Sequence, residues 1–207
     1  MKYWKTGNLL LRAMYPRRLW QMDGKEKKIY LTFDDGPHPE ITPWVLALLR
    51  QYHAKASFFC IGKNVLAYPQ VYAQLLAESH VTGNHTMHHV NGWKTANNDY
   101  LTNVAECSKW VNSRLFRPPY GKLTHAQSRL LQKQGYRVVM WSVLSGDFDH
   151  TISGADCWEN VQNNTRGGSV VVFHDSEKAF DRLSYTLPRL LEKFTKEGYR
   201  FEALRIE

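Results

Sequence analysis

The chain has 207 residues, enough for one sizeable domain, and its 43% hydrophobic and 13% aromatic content excludes a largely disordered protein. The formal net charge of +8 would suit an anionic partner. However, no dense run of lysine and arginine marks a nucleic-acid-binding surface, so we expect no nucleic-acid partner. No apolar stretch is long enough to cross a membrane as a helix, so we expect no membrane span.

The N-terminal region carries no recognisable export signal, because the apolar run Leu9–Leu11 is too short for the core of a signal peptide. We therefore expect a cytoplasmic protein by default, and a cell-envelope location stays open. Cys60, Cys107 and Cys157 are widely spaced and odd in number, which gives neither a disulfide framework nor a CxxC metal motif. Buried structural thiols are the expectation for Cys60 and Cys107.

Strands and helices are predicted to alternate along the chain from the periodicity of apolar residues. The predicted strands lie at about 29–33, 56–61, 81–83, 115–117, 136–143, 169–173 and 199–204. The predicted helices lie at about 42–52, 69–79, 98–112, 124–134, 155–164 and 185–197. Thr42 is the expected N-cap of the first helix, with Pro43 at its first position.

This alternation predicts an α/β fold with a parallel sheet of about seven strands, either open and doubly wound or closed as a barrel. Neither an internal repeat nor a low-complexity linker divides the chain. We therefore predict one domain over residues 27–207, with residues 1–26 as an N-terminal extension that packs on it.

Conspicuous polar residues follow most of the predicted strands. They are Asp34 and Asp35 after the first strand, His85 to His89 after the third, Arg117 to Tyr120 after the fourth, Trp141 and Asp147 after the fifth, and His174 and Asp175 after the sixth. Because the carboxyl ends of parallel strands meet at one edge of the sheet, we expect these groups to form one site.

A metal centre is the first chemistry that these residues indicate. His85 and His89 are four residues apart and would share one face of a helical turn. Alone, that spacing also fits two surface histidines, and Asp34-Asp35-Gly-Pro also fits an ordinary turn. Two adjacent carboxylates repel each other, however, and a cation relieves the repulsion. His88 could replace His89, but its spacing from His85 suits a helical face less well.

The motifs resemble those of the polysaccharide deacetylases, carbohydrate esterase family four. The segments that carry the resemblance are Thr32–Gly36, His85–His89, Arg117–Tyr120 and Val172–Asp175, and they stand in the family's order over residues 28–204. The resemblance implies a deformed (β/α) barrel. It also implies a hydrolase that removes N-acetyl groups from amino-sugar glycans such as peptidoglycan or chitin-like polymers.

The resemblance also implies roles for single residues. Asp35, His85 and His89 would hold a divalent ion, usually zinc, with cobalt, nickel or manganese as alternatives. Asp34 would be the general base and His174 the general acid.

Further roles follow from the same resemblance. Arg117 would orient Asp34, and Asp147 would brace Arg117. The backbone N–H of Tyr120 would stabilise the oxyanion. Trp141, Phe148 and Val172 would line the acetyl pocket, and Pro118 would be a further substrate-binding residue.

The fourth motif departs from the family pattern at two positions. Leu144 stands where an aspartate is usual, and Phe148 stands where a tryptophan is usual. Phe148 keeps an aromatic wall but lacks the indole donor. Two alternatives therefore stay open beside deacetylation of an amino sugar. One is hydrolysis of an O-acetyl ester or a non-sugar amide at the same site, and the other is a non-catalytic glycan-binding protein.

Overall fold

A computed structural model describes residues 9–205. Its strands are β1 (Lys28–Asp34), β2 (Ala56–Cys60), β3 (Val81–Asn84), β4 (Leu115–Phe116), β5 (Arg137–Val138), β6 (Val143–Leu144), β7 (Val170–His174) and β8 (Arg200–Phe201). Its helices are α1 (Leu9–Met14), α2 (Ile41–Gln51), α3 (Gly62–Ala67), α4 (Pro69–Ala77), α5 (Asn97–Ser108), α6 (His125–Lys133), α7 (Gly154–Gln162) and α8 (Glu177–Lys196).

The sheet is parallel at every pairing between these strands and follows the order β5-β4-β3-β2-β1-β7-β6, with β8 paired to the start of β1. Because β5 and β6 lie close together in the chain but at opposite ends of this order, the sheet curls toward a barrel. The predicted α/β barrel is therefore confirmed. The pairing of β1 with β7 sets Asp34 beside His174 in register.

Residues 19–22 lie against β5 at one edge of the curled sheet and against the residues that lead into β7. The backbone of Leu19 exchanges hydrogen bonds with Val138 and Met140, and the N–H of Met22 donates to the carbonyl of Gly168. These contacts place the segment before β1 against the barrel. The division into an extension up to residue 26 and a catalytic domain from residue 27 stays a prediction.

Several element predictions need correction. The expected strand 136–143 is two short strands. Between them, Val139 forms an isolated parallel bridge with Leu19, and the N–H of Met140 donates to the carbonyl of Leu19. Helix α8 begins at Glu177, eight residues before the predicted start. The N-cap of α2 is Glu40, whereas Thr42 lies inside the helix and accepts a hydrogen bond from the backbone N–H of His38.

The largest apolar cluster lies between the sheet and helices α2 and α8. Phe33, Phe58 and Phe173 stack on adjacent strands there, with ring centroids 5.0 and 6.0 Å apart. All three cysteines are buried and unbridged. Within residues 9–205, no helix is long and apolar enough to cross a membrane.

Candidate active site

The site lies where β1, β3, β4 and β7 end. Asp34 is the last residue of β1, and the next residue, Asp35, turns the chain with a φ of 80°. A positive φ is uncommon outside glycine and marks a backbone that its surroundings hold in place. The carboxylate of Asp175, after β7, accepts a 3.0 Å hydrogen bond from the N–H of Gly36 and so fixes this turn.

Asp35, His85 and His89 converge on one point. The Nε2 atoms of His85 and His89 lie 3.6 and 3.1 Å from Oδ1 of Asp35. That oxygen is buried and, among the described residues, has no well-directed hydrogen bond. Three ligand atoms within 4.8 Å of one another, one of them an unsatisfied carboxylate oxygen, fit a divalent cation.

Protonation also favours a cation at this cluster. The carbonyl of Arg117 lies 2.7 Å from Nδ1 of His85, so Nδ1 carries the proton and Nε2 presents its lone pair. Burial lowers the pKa of His85 to about 4, which keeps the ring neutral. Burial alone would raise the pKa of Asp35, but His89 and the charge of His174 outweigh it, so the carboxylate stays ionised.

The two histidines do not share a helical face, which corrects the reason for their pairing. Residues 85–89 form a loop in which Thr86 and His89 have φ values of 65° and 55°. The side chain of Asn103 accepts hydrogen bonds from the N–H groups of Met87 and His88 and shapes this loop. His88 is exposed and lies outside the cluster.

Asp34 is held by a completely buried arginine. Nη1 of Arg117 lies 2.7 Å from Oδ1 of Asp34 and 2.7 Å from Oγ1 of Thr32. Nη2 of Arg117 donates to the carbonyl of Met140, and its guanidinium carbon lies 4.2 Å above the ring of Phe59. The predicted contact of Arg117 with Asp34 is therefore present, and it gives a counter-charge to a side chain that has only 4% exposure.

Asp147 contacts His174 and not Arg117, which corrects the partner expected for it. Oδ1 of Asp147 lies 2.8 Å from Nδ1 of His174, and Oδ2 accepts a 2.7 Å hydrogen bond from the His174 N–H. Burial by itself lowers the pKa of His174, but the charge and hydrogen bond of Asp147 outweigh it, and the pKa rises to about 9. The imidazole is therefore protonated at neutral pH, as a general acid must be.

The predicted substrate-binding residues have different surroundings in the structure. The ring of Phe148 meets that of His174 edge-on at 5.1 Å, and Val172, two residues before His174 on β7, faces the same side of the sheet. The side chain of Trp141 packs against Gly121, where a Cβ would lie 2.6 Å from the indole. Pro118 is buried at the base of the Tyr120 loop.

Tyr120 is exposed and has a φ of 59°, which leaves its backbone in a strained left-handed conformation. Its hydroxyl lies 3.2 Å from Nδ1 of His89, and the two rings are 4.6 Å apart. The side chain of Tyr120 therefore supports a candidate metal ligand, a contact that sequence reasoning missed.

Leu144 is buried in β6, where it pairs with Val172. The loop that follows is held without an aspartate at this position. Nδ2 of Asn160 donates to the carbonyl of Ser145, and Oγ of Ser145 accepts from the N–H of Asp147. Nε of Arg182 also donates to the carbonyl of Asp147. Ser145, Asn160 and Arg182 are thus supporting residues that the sequence analysis did not identify.

Comparison with known proteins places the chain in a family. The polysaccharide deacetylase family model matches residues 21–139. The chain is 38% identical over 188 residues to a peptidoglycan-N-acetylglucosamine deacetylase of Bacillus cereus, covering 88% of each protein. It is 35% identical over 161 residues to a chitooligosaccharide deacetylase of Azorhizobium caulinodans, covering 72% of this chain and 74% of the relative.

A solved structure is similar over nearly the whole chain. It is the Bc1960 peptidoglycan N-acetylglucosamine deacetylase in complex with 4-naphthalen-1-yl-N-oxidanyl-benzamide. The TM-score is 0.86 at 29% sequence identity, and the alignment covers 91% of each chain. The curled parallel sheet described above is therefore the architecture of a known deacetylase.

Proposed function

Because this chain belongs to the polysaccharide deacetylase family, we propose that it hydrolyses the N-acetyl groups of N-acetylglucosamine residues in peptidoglycan. The observation that carries the proposal is the arrangement around one cation site. The carboxylate of Asp34, paired with Arg117, and the imidazole of His174, paired with Asp147, stand at the ends of two adjacent strands. Amide hydrolysis needs both a base for the water and an acid for the leaving amine.

Asp35, His85 and His89 would hold the ion, with zinc as the expected metal. Two neutral imidazoles and one carboxylate are the ligand set of hydrolytic zinc sites, which leave a further position open. When bound, such an ion polarises the substrate carbonyl and lowers the pKa of water.

The remaining chemistry belongs to the protein side chains. Asp34 accepts the proton of the attacking water, and Arg117 orients that carboxylate through a 2.7 Å hydrogen bond. His174 gives its proton to the departing nitrogen, because a free amide anion is a very poor leaving group. The N–H of Tyr120 supports the negative charge that develops on the acetyl oxygen.

A chitooligosaccharide is the second candidate substrate. It is favoured by the match to the Azorhizobium caulinodans chitooligosaccharide deacetylase, which covers less of this chain than the Bacillus cereus relative does. Both substrates carry the same acetamido group, so the choice between them depends on contacts beyond the reacting atoms.

Acetate release from three substrates tests the proposal. Zinc-supplemented protein is incubated with peptidoglycan, with acetylated chitooligosaccharide and with an O-acetylated xylan, and acetate is measured before and after chelation. We expect the highest kcat/KM on peptidoglycan and loss of turnover with chelator. Acetate released from the ester alone would replace the proposed function with an esterase. Absence of acetate from all three substrates, with zinc bound, would make the protein non-catalytic.

A further inference from the structure

A second concave feature lies away from the residues of the candidate active site. It is a cleft of about 300 Å³ between the segment Met14–Arg18 and the outer face of α6. We call it the basic cleft. Its walls are formed by two groups of residues: Met14, Tyr15, Pro16, Arg17 and Arg18 on one side, and His125, Ser128, Arg129 and Gln132 on the other.

Arg18 is the unusual residue of the basic cleft. It is only 7% exposed, and its Nε has no hydrogen-bond partner among the described residues. Its polar contact is one long hydrogen bond, 3.5 Å, from Nη2 to the carbonyl of Leu123, and its guanidinium stacks 4.0 Å over the ring of Tyr15. An arginine this deeply buried is normally paired with a carboxylate or another anion, since an unpaired buried charge is costly.

The charged side chains that line the cleft with Arg18 are basic. Arg17, Arg129 and His125 line the same cleft, and no aspartate or glutamate among residues 9–205 does. Nη2 of Arg129 donates a 3.2 Å hydrogen bond to Nε2 of His125, which holds the guanidinium at the edge of the cleft. Oγ of Ser128 and the amide of Gln132 add neutral donors.

A further unsatisfied group belongs to a residue near Arg18. The hydroxyl of Tyr100 is buried and has no hydrogen-bond partner within the described part of the chain. Tyr100 is close enough to Arg18 for the charge of each to influence the other. Arg18 lines the cleft and has a buried donor without a partner, which is expected where a bound anion completes the hydrogen bonding of an arginine.

We propose that the basic cleft is an oxyanion-binding site that takes one phosphate or carboxylate group. Guanidinium groups present planar, paired donors that match the oxygens of either anion. In this arrangement Arg18 and Arg129 bind the oxyanion from opposite walls, and Ser128 donates a further hydrogen bond. The volume of the cleft admits one such group with its nearest substituents and not a folded chain.

A short segment of chain limits the distance between the basic cleft and the candidate active site. Tyr120 and His125 are five residues apart, so their Cα atoms lie at most about 18 Å from each other. An anionic group on a polymer held at the active site is therefore one source of the ligand, and a lipid headgroup is another. The binding chemistry itself is independent of the proposed deacetylation.

Thermal unfolding in phosphate tests this proposal. The full chain is unfolded in increasing sodium phosphate, with sodium chloride adjusted to keep ionic strength constant. We expect a Tm that rises and saturates with phosphate, because a ligand that binds the native state stabilises it. Arg129→Gln, at an exposed position, should weaken phosphate binding on the order of tenfold. Arg18→Gln should abolish the effect.

Lys133→Gln is the matched control, since it removes the same charge from the same helix outside the cleft. It should respond to phosphate as the unmodified protein does. Vesicles of phosphatidylglycerol distinguish the sources: binding that phosphate competes away and that Arg129→Gln weakens identifies a lipid headgroup. Phosphate binding without vesicle binding identifies a soluble or polymer-borne anion. A phosphate effect that is absent, or that persists in both arginine variants, overturns the proposal.

Discussion

Each of the two sides of the candidate active site contains a carboxylate paired with a cation. The carboxylate is the reacting group on one side, and the cation is the reacting group on the other. On one side a buried arginine, Arg117, supports a carboxylate, Asp34, that is available for chemistry. On the other side a buried carboxylate, Asp147, supports a cation, His174, that is available for chemistry. In each pair the supporting residue has 0% exposure.

The two sides differ in how readily the cation of each pair loses its proton. A guanidinium does not lose its proton under ordinary conditions, so Arg117 supports Asp34 across the working pH range. His174 titrates, and Asp147 sets where it does so, near pH 9 instead of 6.5. We infer that the Arg117–Asp34 pair is required for activity at any pH. The Asp147–His174 pair sets the pH range over which the enzyme is active.

The largest effect is expected from Arg117→Gln. Removing the guanidinium leaves Asp34 buried without a counter-charge, which should cost about 3–5 kcal/mol of stability. The rate should fall by about 10³-fold, because a carboxylate that becomes protonated is no longer a base. Urea unfolding and acetate release measure the two losses.

Arg117→Lys separates charge from geometry, since lysine keeps the charge without the planar fork. Its activity should lie between those of the unmodified protein and Arg117→Gln. Arg114→Gln, which changes an exposed arginine three residues earlier, is the control and should stay near the unmodified rate. If the activity of Arg117→Gln stays within a few-fold of that control, Arg117 does not support Asp34 as the base.

A smaller and pH-dependent effect is expected from Asp147→Asn. Without the carboxylate, the pKa of His174 should fall from about 9. Because the acid must be protonated, the alkaline limb of the kcat/KM profile should move to lower pH. The rate should fall by about 10²-fold at pH 8.5 and by less at pH 6. A limb that does not move would separate His174 from the acid role.

The free energy of unfolding should also decrease as the pH rises. The pKa of His174 is raised on folding, so its proton stabilises the folded state fully below pH 6.5, and this contribution is lost as the pH rises through about 9. In Asp147→Asn the decline between these values should be shallower. Urea unfolding at pH 6.5 and pH 9 measures the difference. An equally steep decline in both proteins would place the titrating group elsewhere.

The smallest effect is expected from Tyr120→Phe, which removes the hydroxyl 3.2 Å from His89 and leaves the backbone in place. Partners of metal ligands contribute about 10–100-fold in affinity, and an exposed hydroxyl should lie at the low end of that range. Zinc competition with a chelator measures it. A kcat loss with unchanged zinc affinity would indicate that the hydroxyl contacts the substrate.

The site residues were predictable to the extent that they follow strand ends in sequence. Asp34 and His174 stand at the ends of strands whose apolar pattern is clear, and parallel pairing then brings them together. The three candidate metal ligands lie together as expected, but the helical spacing expected for the two histidines was wrong. His85 and His89 converge through a loop shaped by Asn103, and a hydrogen bond across that separation has no local sequence signal.

Contacts between distant segments were the part that sequence could not supply. Asp147 and His174 are 27 residues apart, and their pairing depends on the conformation of the loop after β6. The expected single strand at 136–143 is divided where Val139 pairs with Leu19, a residue from the segment before β1. The start of α8 was missed because charged residues such as Lys178 dilute an apolar pattern that Ala179 and Leu183 carry.

Zinc stoichiometry in two adjacent variants tests the central assignment most directly, since Asp34 and Asp35 differ by one position but are assigned to base and ligand. Zinc per chain is measured by titration calorimetry for Asp34→Asn and Asp35→Asn, beside acetate release. Asp34→Asn should bind one zinc with nearly unchanged affinity and release no acetate, while Asp35→Asn should lose zinc binding and activity together. Loss of zinc binding in Asp34→Asn, or its retention in Asp35→Asn, would contradict the division of roles.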